Sequence, residues 1–493
     1  MTPWWYTASI TLLLSLRATA WPHWSFKSAS FQPPKLKITQ TGPTEPGFIF
    51  LGPRGGGIQP AGEAPIIYDN NGNLVWEGPQ EPVSNFKVQQ LNGRDVITFW
   101  SGETIPLGFG YGSVHILDNT YQEINTVTLT GHFVTPDGSQ KDSYIDLHES
   151  YITPSNTLLV TAYNLTQQDL TSIGGKPSEW IIDGQFYEID IATNQVINSW
   201  SALEYQDSIP LNSSHQRLSH SAGTQANPYD AYHINSVSST NHGYMVSLRH
   251  MWSGYYLASD GSVLWQVSGD DGGDFRQVGQ TNFAWQHDIR LLNETDTGMI
   301  LTLFNNANTP TWSEGPSTGL SLAIDLTQKT VTGLRSLIDP NDPIRSASQG
   351  NYQVLPDSDG HVLISYGSTP KIKEFDGDGN VVFNAAFGTS NTVSSYRAFR
   401  SKWGGTSVFK PALNVTRNSS GIVAYMSWNG VTDYDSWSVY SVSAFAIKFQ
   451  IIGSANRTGF ETSVPLGNLS TNSIWVAALQ GGQIIGISDI VTF

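Results

Sequence analysis

The chain has 493 residues, of which 39% are hydrophobic and only 13% are charged, with 47 glycines, 16 tryptophans and no cysteine. This composition is typical of a folded, turn-rich β protein and excludes an intrinsically disordered chain. The formal net charge of -16 argues against nucleic acid as a partner, because its phosphates would be repelled. The absence of cysteine excludes disulfides, thiolate metal sites and a cysteine nucleophile.

Residues 1–20 predict a secretory signal peptide. They hold an apolar core of about ten residues and end in Ala18-Thr19-Ala20, a typical cleavage pattern, before Trp21. A membrane anchor is the alternative, but the apolar stretch is too short to span a bilayer comfortably. We therefore expect the chain to be secreted or to stay in the secretory pathway, with no membrane anchor after signal cleavage.

N-glycosylation sequons support export. A single Asn-x-Ser/Thr pattern arises easily by chance, whereas several together favour a glycosylated, solvent-facing shell. The predicted acceptors are Asn164, Asn212, Asn293, Asn414, Asn418, Asn456 and Asn468.

Six stretches then repeat one plan of short strands and tight turns. After an extended segment over residues 21–46, they are residues 47–78, 85–128, 146–201, 232–269, 285–337 and 350–387. In five of them an apolar strand ends next to Asp, as in IIYDNNG and KEFDGDG, and is followed by a turn and an alternating strand. Asn, Asp and Gly supply the backbone angles that hairpin turns need.

A period of this length predicts an all-β protein with a six-bladed β-propeller over residues 47–410. A double sandwich of the same strands is the alternative, although it does not explain the period. From residue 411 the strands become shorter and more closely spaced, which predicts a second, β-sandwich-like domain over residues 411–493.

Polar residues recur where each blade's innermost strand begins. His148, His233, His287 and Asn351 all fall at this position, so a propeller would bring them to one channel mouth. A lone histidine at a strand end is usually structural, but three at equivalent positions favour a functional site.

Arg249 and Asn235 are predicted to join these histidines. Arg249 ends the second strand of the fourth repeat, and Asn235 lies two residues after His233, on the same face of a strand. Such donors suit an oxyanion, and a neutral imidazole can act as base, acid or nucleophile. A metal site is the competing interpretation of three histidines, but Arg249 would repel a cation, so no metal and no cofactor are expected.

Aromatic residues near the same strands predict a pocket for a flat aromatic ligand, although each is a core residue by default. With Asn351 and Arg397, the predicted substrate-binding residues are Tyr163, Trp252, Trp285, Phe304, Tyr366 and Tyr396. The expected partner is thus a small aromatic substrate.

Taken together, several motifs resemble those of the fungal branch of the arylsulfotransferase-like proteins. The motifs are HINSV, SLRH, QHDIR, GNYQVLP, SYRAFRSKWGG and SWNG, and the resemblance extends over nearly the whole chain after residue 20. It implies a six-bladed propeller with a β-sandwich. Bacterial members carry a disulfide and place the sandwich before the propeller, whereas this chain lacks cysteine and its predicted sandwich follows.

The resemblance also implies an activity. In bacterial arylsulfotransferases a channel histidine takes a sulfuryl group from a phenolic sulfate and passes it to another phenol, without a nucleotide sulfate donor. By motif, His287 resembles this nucleophile, His233, Asn235 and Arg249 resemble ligands of the sulfuryl oxygens, and His148 resembles a further channel histidine.

Two alternatives remain at this point. Some fungal proteins of this propeller type resemble enzymes that guide hetero-Diels-Alder reactions in secondary metabolism, joining a tropolone-type quinone methide to a terpene. That chemistry needs an apolar pocket and hydrogen-bond donors instead of a nucleophile. The third possibility is a non-catalytic secreted propeller that binds through its loops.

Overall fold

The computed structural model describes residues 21–59, 62–419, 421–442 and 449–493. The predicted signal peptide lies outside these residues. The described chain is all-β, built almost entirely from antiparallel sheets, with five short 3-10 helices in the described part at Gly56–Ile58, Thr171–Ile173, Ala202–Tyr205, Leu211–Ser213 and Arg249–Met251. None of the described helices combines the length and apolar character that crossing a membrane would require.

The strands are short and follow one another closely along the chain. In chain order they are β1 (Lys37–Gln40), β2 (Phe48–Leu51), β3 (Ile66–Tyr68), β4 (Leu74–Glu77), β5 (Val83–Leu91), β6 (Arg94–Thr104), β7 (Gly110–Leu117), β8 (Glu123–Val127), β9 (Ser150–Ile152), β10 (Thr157–Gln168), β11 (Glu179–Asp190), β12 (Val196–Ser201), β13 (Ile234–Ser239), β14 (Gly243–Leu248), β15 (Ser253–Ala258), β16 (Val263–Ser268), β17 (Arg276–Val278), β18 (His287–Thr295), β19 (Gly298–Asn305), β20 (Asn308–Thr309), β21 (Trp312–Ser313), β22 (Thr318–Asp325), β23 (Thr330–Leu337), β24 (Asn351–Val354), β25 (Val362–Ser365), β26 (Lys371–Phe375), β27 (Val381–Ala386), β28 (Ala398–Ser401), β29 (Ala412–Asn418), β30 (Gly421–Ser427), β31 (Ser436–Val442), β32 (Phe449–Asn456), β33 (Glu461–Gly467), β34 (Ser473–Gln480), β35 (Gln483–Ile487) and β36 (Val491–Thr492).

Each of the six repeated stretches contributes one sheet. Sheet 1 has the order β28-β2-β3-β4, sheet 2 β5-β6-β7-β8, sheet 3 β9-β10-β11-β12, sheet 4 β13-β14-β15-β16, sheet 5 β18-β19-β22-β23-β17 and sheet 6 β24-β25-β26-β27-β1. The strands pair antiparallel, except that β17 runs parallel to β23. The four strands predicted for the fourth repeat are all present in sheet 4.

The predicted hairpin chemistry is visible in the turns. Between β3 and β4, Asp69 Oδ1 accepts the backbone N–H groups of Asn71 and Asn73, and Gly72 has a φ of 78°. The turn after β26 repeats this arrangement around Asp376 and Gly379. A carboxylate that caps the turn, with a glycine at the left-handed position, explains why Asp and Gly recur at this place in the repeats.

Consecutive sheets contact one another through their first or second strands. β28 of sheet 1 touches β5 of sheet 2, and β5 touches β9 of sheet 3. The series goes on from β10 to β13, from β13 to β18 and from β18 to β24. Finally β25 of sheet 6 touches β28, so the last sheet contacts the first. The two ends of the six-sheet region exchange strands. The late strand β28 completes sheet 1, and the early strand β1 completes sheet 6.

The strands after residue 411 form two further sheets, β29-β30-β33 and β32-β31-β34-β35 with β36 beside β34. Their buried side chains, among them Met426, Trp437 and Val476, share one hydrophobic cluster. Tyr121 at the end of sheet 2 joins the two regions, because its hydroxyl donates to Gly430 O at 2.7 Å.

Candidate active site

A cavity of about 1600 Å³ is lined by strand ends and by segments that connect the strands of all six sheets. Its lining includes the three predicted histidines His148, His233 and His287. All three are at most 8% exposed. Four other predicted residues line the same cavity: Arg249, Trp252, Trp285 and Tyr396. The lining also includes residues that the sequence analysis did not predict, among them Arg54, Leu107, Asp230, His250, Trp312 and Gln349.

His287, the first residue of β18, is held in one tautomer. Its Nδ1 lies 2.7 Å from Asn306 Oδ1, while the amide nitrogen of Asn306 donates to Ser346 O and Gln349 O. The amide is therefore oriented with its oxygen toward the ring, so Nδ1 carries the proton. Nε2 accepts the backbone N–H of Gln349 at 3.1 Å. Burial, and then the charge of Arg249, hold the pKa of His287 well below its usual value, so the ring is neutral.

His148 and His233 are backed by carboxylates instead. His148 Nδ1 lies 2.5 Å from Asp146 Oδ2, and His233 Nδ1 lies 2.6 Å from Asp230 Oδ2. The two rings are 5.0 Å apart, centroid to centroid. Each carboxylate directs the Nδ1 proton to itself, which leaves Nε2 as the nitrogen that can exchange a proton. Burial lowers the pKa of His233 despite Asp230.

His250 is one of two cavity histidines that sequence reasoning missed, the other being His215. It follows Arg249 directly, and its Nδ1 donates to Asp230 O at 2.7 Å while its Nε2 accepts from Arg249 Nη1 at 2.9 Å. Burial lowers its pKa to about 3, so it stays neutral. Its ring lies 4.8 Å from that of His233. Arg249 was predicted to end the second strand, but β14 ends at Leu248, and Arg249 and His250 begin the 3-10 helix that follows. The SLRH motif contains the signal for His250, since it places a second polar side chain directly after Arg249.

Several buried donors around the cavity have no hydrogen-bond partner. They belong to side chains that line it: Arg54 Nη1, Arg249 Nε, Trp252 Nε1, Trp285 Nε1 and the Tyr396 hydroxyl. A buried donor without a partner is costly, so a cluster of them indicates a ligand that supplies oxygen acceptors.

One wall of the cavity is aromatic. Trp252 lies 5.5 Å from Trp285 and 5.4 Å from Trp312, ring centroid to ring centroid, and His215 stacks on its face at 3.6 Å. The guanidinium of Arg249 covers Trp285 at 5.1 Å. This wall can hold a flat ring against its surface.

The structure places Tyr163, Asn235 and Asn351 outside the cavity lining, where they connect neighbouring sheets. Asn235 Nδ2 donates to Gln286 O at 2.6 Å, Asn351 exchanges two hydrogen bonds with the backbone of Ala398, and Tyr163 donates to Ile234 O at 2.5 Å. His233 has a φ of 53°, which breaks strand alternation just before β13. For this reason His233 and Asn235 do not share one face as predicted.

The other three predicted residues also lie away from the lining. Phe304 and Tyr366 are buried against each other, with ring centroids 5.7 Å apart. Arg397 is buried in a charge network, 3.2 Å from Glu149 and 3.4 Å from Asp288. Its charge is already neutralised by two carboxylates, which makes it a structural residue in this arrangement.

The described residues contain one group that a metal ion could use, Asp230 with His233 and His250, whose ligand atoms lie within 4.8 Å of one another. Both nitrogens of His250 are already engaged, one of them by the Arg249 cation. These residues therefore do not fit a metal ion in this arrangement.

The predicted glycosylation sites differ in exposure. Asn212, Asn293, Asn414, Asn456 and Asn468 are exposed, and Asn212 lies on the cavity rim. Asn164 is half-buried and its Oδ1 accepts the N–H of Val134. The side chain of Asn418 lies outside the described set.

Buried neutral imidazoles, a cation with a free N–H and an aromatic wall in one cavity define a candidate group-transfer site on an all-β scaffold. The family model described as "Arylsulfotransferase (ASST)" matches residues 87–388, more than half of the chain. The chain therefore belongs to the arylsulfotransferase family, and this family indicates a transferase.

Comparisons with curated proteins and with solved structures give only weak similarity or none. No curated protein matches the chain. Among solved structures, a periplasmic gluconolactonase of Pseudomonas aeruginosa is 10% identical with a TM-score of 0.34, over 71% of this chain and 97% of that one. PorZ of the Porphyromonas gingivalis type-IX secretion system is 9% identical with a TM-score of 0.25, over 88% and 74%. The GH43 protein BlXynB of Bacillus licheniformis is 8% identical with a TM-score of 0.30, over 83% and 89%.

Proposed function

We propose that the six sheets are the blades of a closed propeller and that its central cavity transfers a sulfuryl group from an aryl sulfate to a phenolic acceptor, without a nucleotide donor. The observation that carries this proposal is the meeting of His148, His233, His287 and Arg249 in one cavity of an arylsulfotransferase-family chain. The contact between the sixth sheet and the first supports ring closure.

His287 is the proposed nucleophile because its ring is neutral and its Nδ1 proton is held by an amide. In the first step Nε2 bonds to sulfur, the bond from sulfur to the aryl oxygen breaks, and the aryl oxide leaves with the electron pair. Asn306 stabilises the cationic sulfuryl-imidazole less than a carboxylate would, so the intermediate keeps a high transfer potential. The Gln349 N–H that occupies Nε2 must move aside first.

The two histidines with carboxylate partners suit proton transfer. In the second step the acceptor oxygen attacks sulfur, the bond from nitrogen to sulfur breaks, and the acceptor's proton passes to Nε2 of His148 or His233. Asp146 and Asp230 stabilise the imidazolium that results. Arg249 lines the cavity and its Nε–H has no partner, so it suits the sulfuryl oxygens.

Mass spectrometry and nitrophenol release test this proposal together. With 4-nitrophenyl sulfate and no acceptor, we expect a burst of nitrophenol and an adduct of about 80 Da on His287, the mass of a sulfuryl group. His287→Ala should abolish both, whereas His242→Ala, at an exposed histidine outside the cavity, should abolish neither. Wild-type protein that gives neither burst nor adduct would exclude sulfuryl transfer.

A second candidate is hetero-Diels-Alder cycloaddition, and the cavity size favours it. About 1600 Å³ exceeds the roughly 300–1000 Å³ of most ligand pockets and leaves room for two partners. Here the histidines and Arg249 would act only as donors to a developing oxyanion, so His287→Ala would reduce the rate only in part. The third reading, a binding propeller with scattered histidines, fits less well because the three histidines are buried together.

We further propose that the chain enters the secretory pathway. Residues 1–20 and the exposed sequons support this location. Enzymatic removal of N-glycans should lower the mass of the protein recovered from its native source, and an unchanged mass would count against it.

A further inference from the structure

Arg54 lines the cavity but has no role so far. It lies between β2 and the short helix Gly56–Ile58, outside the residues 87–388 that match the family model. Its Nη1 is buried without a hydrogen-bond partner, and Arg54 forms no ion pair with any of the described residues. Burial lowers its pKa, although Glu63, Tyr396 and Asp146 act in the opposite direction. An unpartnered cationic donor on a residue that lines a cavity indicates an anionic or oxygen-bearing group there.

The backbone links Arg54 to the proposed nucleophile. Arg54 exchanges two hydrogen bonds with Ser394, at 2.9 and 3.0 Å. Two residues further, Tyr396 O accepts the N–H of Gly350, next to the Gln349 N–H that donates to His287 Nε2. The ring of Tyr396 lies 6.3 Å from that of His287 and 5.4 Å from that of His148. Its hydroxyl, like Arg54 Nη1, is buried without a partner.

Arg54 and Arg249 differ in which of their N–H groups lack a hydrogen-bond partner. Arg249 donates one hydrogen bond from each Nη group, to His250 and to Ala347 O, and its Nε is buried without a partner. Arg54 Nη1 is uncommitted, and the unpartnered hydroxyl of Tyr396 belongs to a second residue that lines the same cavity. Glu63, the nearest acid on its own loop, is held by the N–H of Gly55 at 2.8 Å.

We propose that Arg54 and Tyr396 form an oxygen-binding pole for the departing aryl group, distinct from the sulfuryl-binding pole at Arg249. The inference rests on the proposed sulfuryl transfer. When the His287 nitrogen bonds to sulfur and the bond from sulfur to the aryl oxygen breaks, that oxygen keeps the electron pair. The Arg54 guanidinium and the Tyr396 hydroxyl then each donate a hydrogen bond to the aryl oxide, and no proton is needed for its release.

Leaving-group dependence tests this role. Arg54→Gln should lower kcat/KM about tenfold for 4-nitrophenyl sulfate but about a thousandfold for phenyl sulfate, because the poorer leaving group depends more on stabilisation of its charge. Arg54→Lys keeps the charge and should recover part of the phenyl sulfate rate. Arg217→Gln removes an exposed arginine from the same cavity and should leave the ratio of the two substrates unchanged. An equal loss on both substrates in Arg54→Gln would overturn the proposal.

Binding of 4-nitrophenol supplies a readout that needs no turnover. Wild-type protein should bind it as the yellow phenolate at a pH below the pKa of free nitrophenol, and Arg54→Gln should lose this colour. If neither aryl sulfate reacts with wild-type protein, the sulfuryl-transfer proposal fails, whereas a phenolate signal that depends on Arg54 would still support the pole. Wild-type protein that binds only the neutral phenol would overturn it.

Tyr396→Phe keeps the ring and removes only the unpartnered hydroxyl, so it serves if Arg54→Gln does not fold. We expect this variant to lose about tenfold more rate on phenyl sulfate than on 4-nitrophenyl sulfate. Full retention of the wild-type ratio would contradict the proposal.

Discussion

At the scale of single residues, hydrogen bonds fix which ring nitrogen of each cavity histidine carries the proton. The Asn306 amide keeps the proton of His287 on Nδ1, and the carboxylates of Asp146 and Asp230 do the same for His148 and His233. Similar rings thereby acquire different chemistry, since a neutral acceptor favours a nucleophile and a carboxylate favours a base.

Arg249 also controls the charge of His287, which makes a pH prediction possible. After burial, its positive charge is the next cause of the low pKa of His287. Arg249→Gln should raise that pKa, although burial still holds it below the usual value, so protonated, inactive His287 accumulates to a greater extent as the pH falls. The nitrophenol burst of the variant should then slow more steeply between pH 7 and pH 5 than that of wild type. Arg249→Lys keeps the charge and should behave like wild type, and a burst in Arg249→Gln that does not depend on pH would contradict the assignment.

At the scale of elements, polar residues at the starts of the inner strands divide into two groups. Sequence reasoning predicted the repeats, the hairpin turns and the convergence of the three histidines from a recurring position. It could not separate cavity residues from ties between sheets, because both are polar and occupy similar places. Asn85, Asn235 and Asn351 each donate to a backbone carbonyl that precedes or begins the first strand of the next sheet, at Leu147, Gln286 and Ala398. The sequence also could not predict the left-handed φ of His233 or the positions of Asp230 and His250, because these features depend on tertiary packing.

Asn351 provides a test at this scale, because it links sheet 6 to sheet 1. Asn351→Ala would leave the buried N–H and C=O of Ala398 unpaired and should lower the free energy of unfolding by about 3 kcal/mol. Gln353 makes the corresponding pair with Arg400 in a less buried place, so Gln353→Ala should cost about 1 kcal/mol. Chemical denaturation measures both. Asn351→Ala should remain active well below its melting temperature. A variant that loses activity but keeps its stability would indicate that Asn351 belongs to the active site.

At the scale of the whole molecule, buried titratable groups act in opposite directions as the pH falls. Burial lowers the pKa of His250 to about 3 and raises that of Glu77 to about 7. Below about pH 6.5 the unfolded chain binds a proton at His250 that the folded chain refuses, so stability is lost. The folded chain binds a proton at Glu77 that the unfolded chain does not bind until about pH 4.5, so stability is gained.

Each of these two groups changes the free energy of unfolding by about 2 kcal/mol between pH 7 and pH 5, with opposite sign. Glutamine variants should reveal the two opposing effects, since glutamine does not titrate and is isosteric with Glu77. Glu77→Gln should lose about 2 kcal/mol more than wild type on going from pH 7 to pH 5, and His250→Gln about 2 kcal/mol less. Urea unfolding at the two pH values measures both differences. A Glu77→Gln protein with the same pH dependence as wild type would mean that Glu77 is ionised in the folded chain at both pH values, which would contradict the prediction.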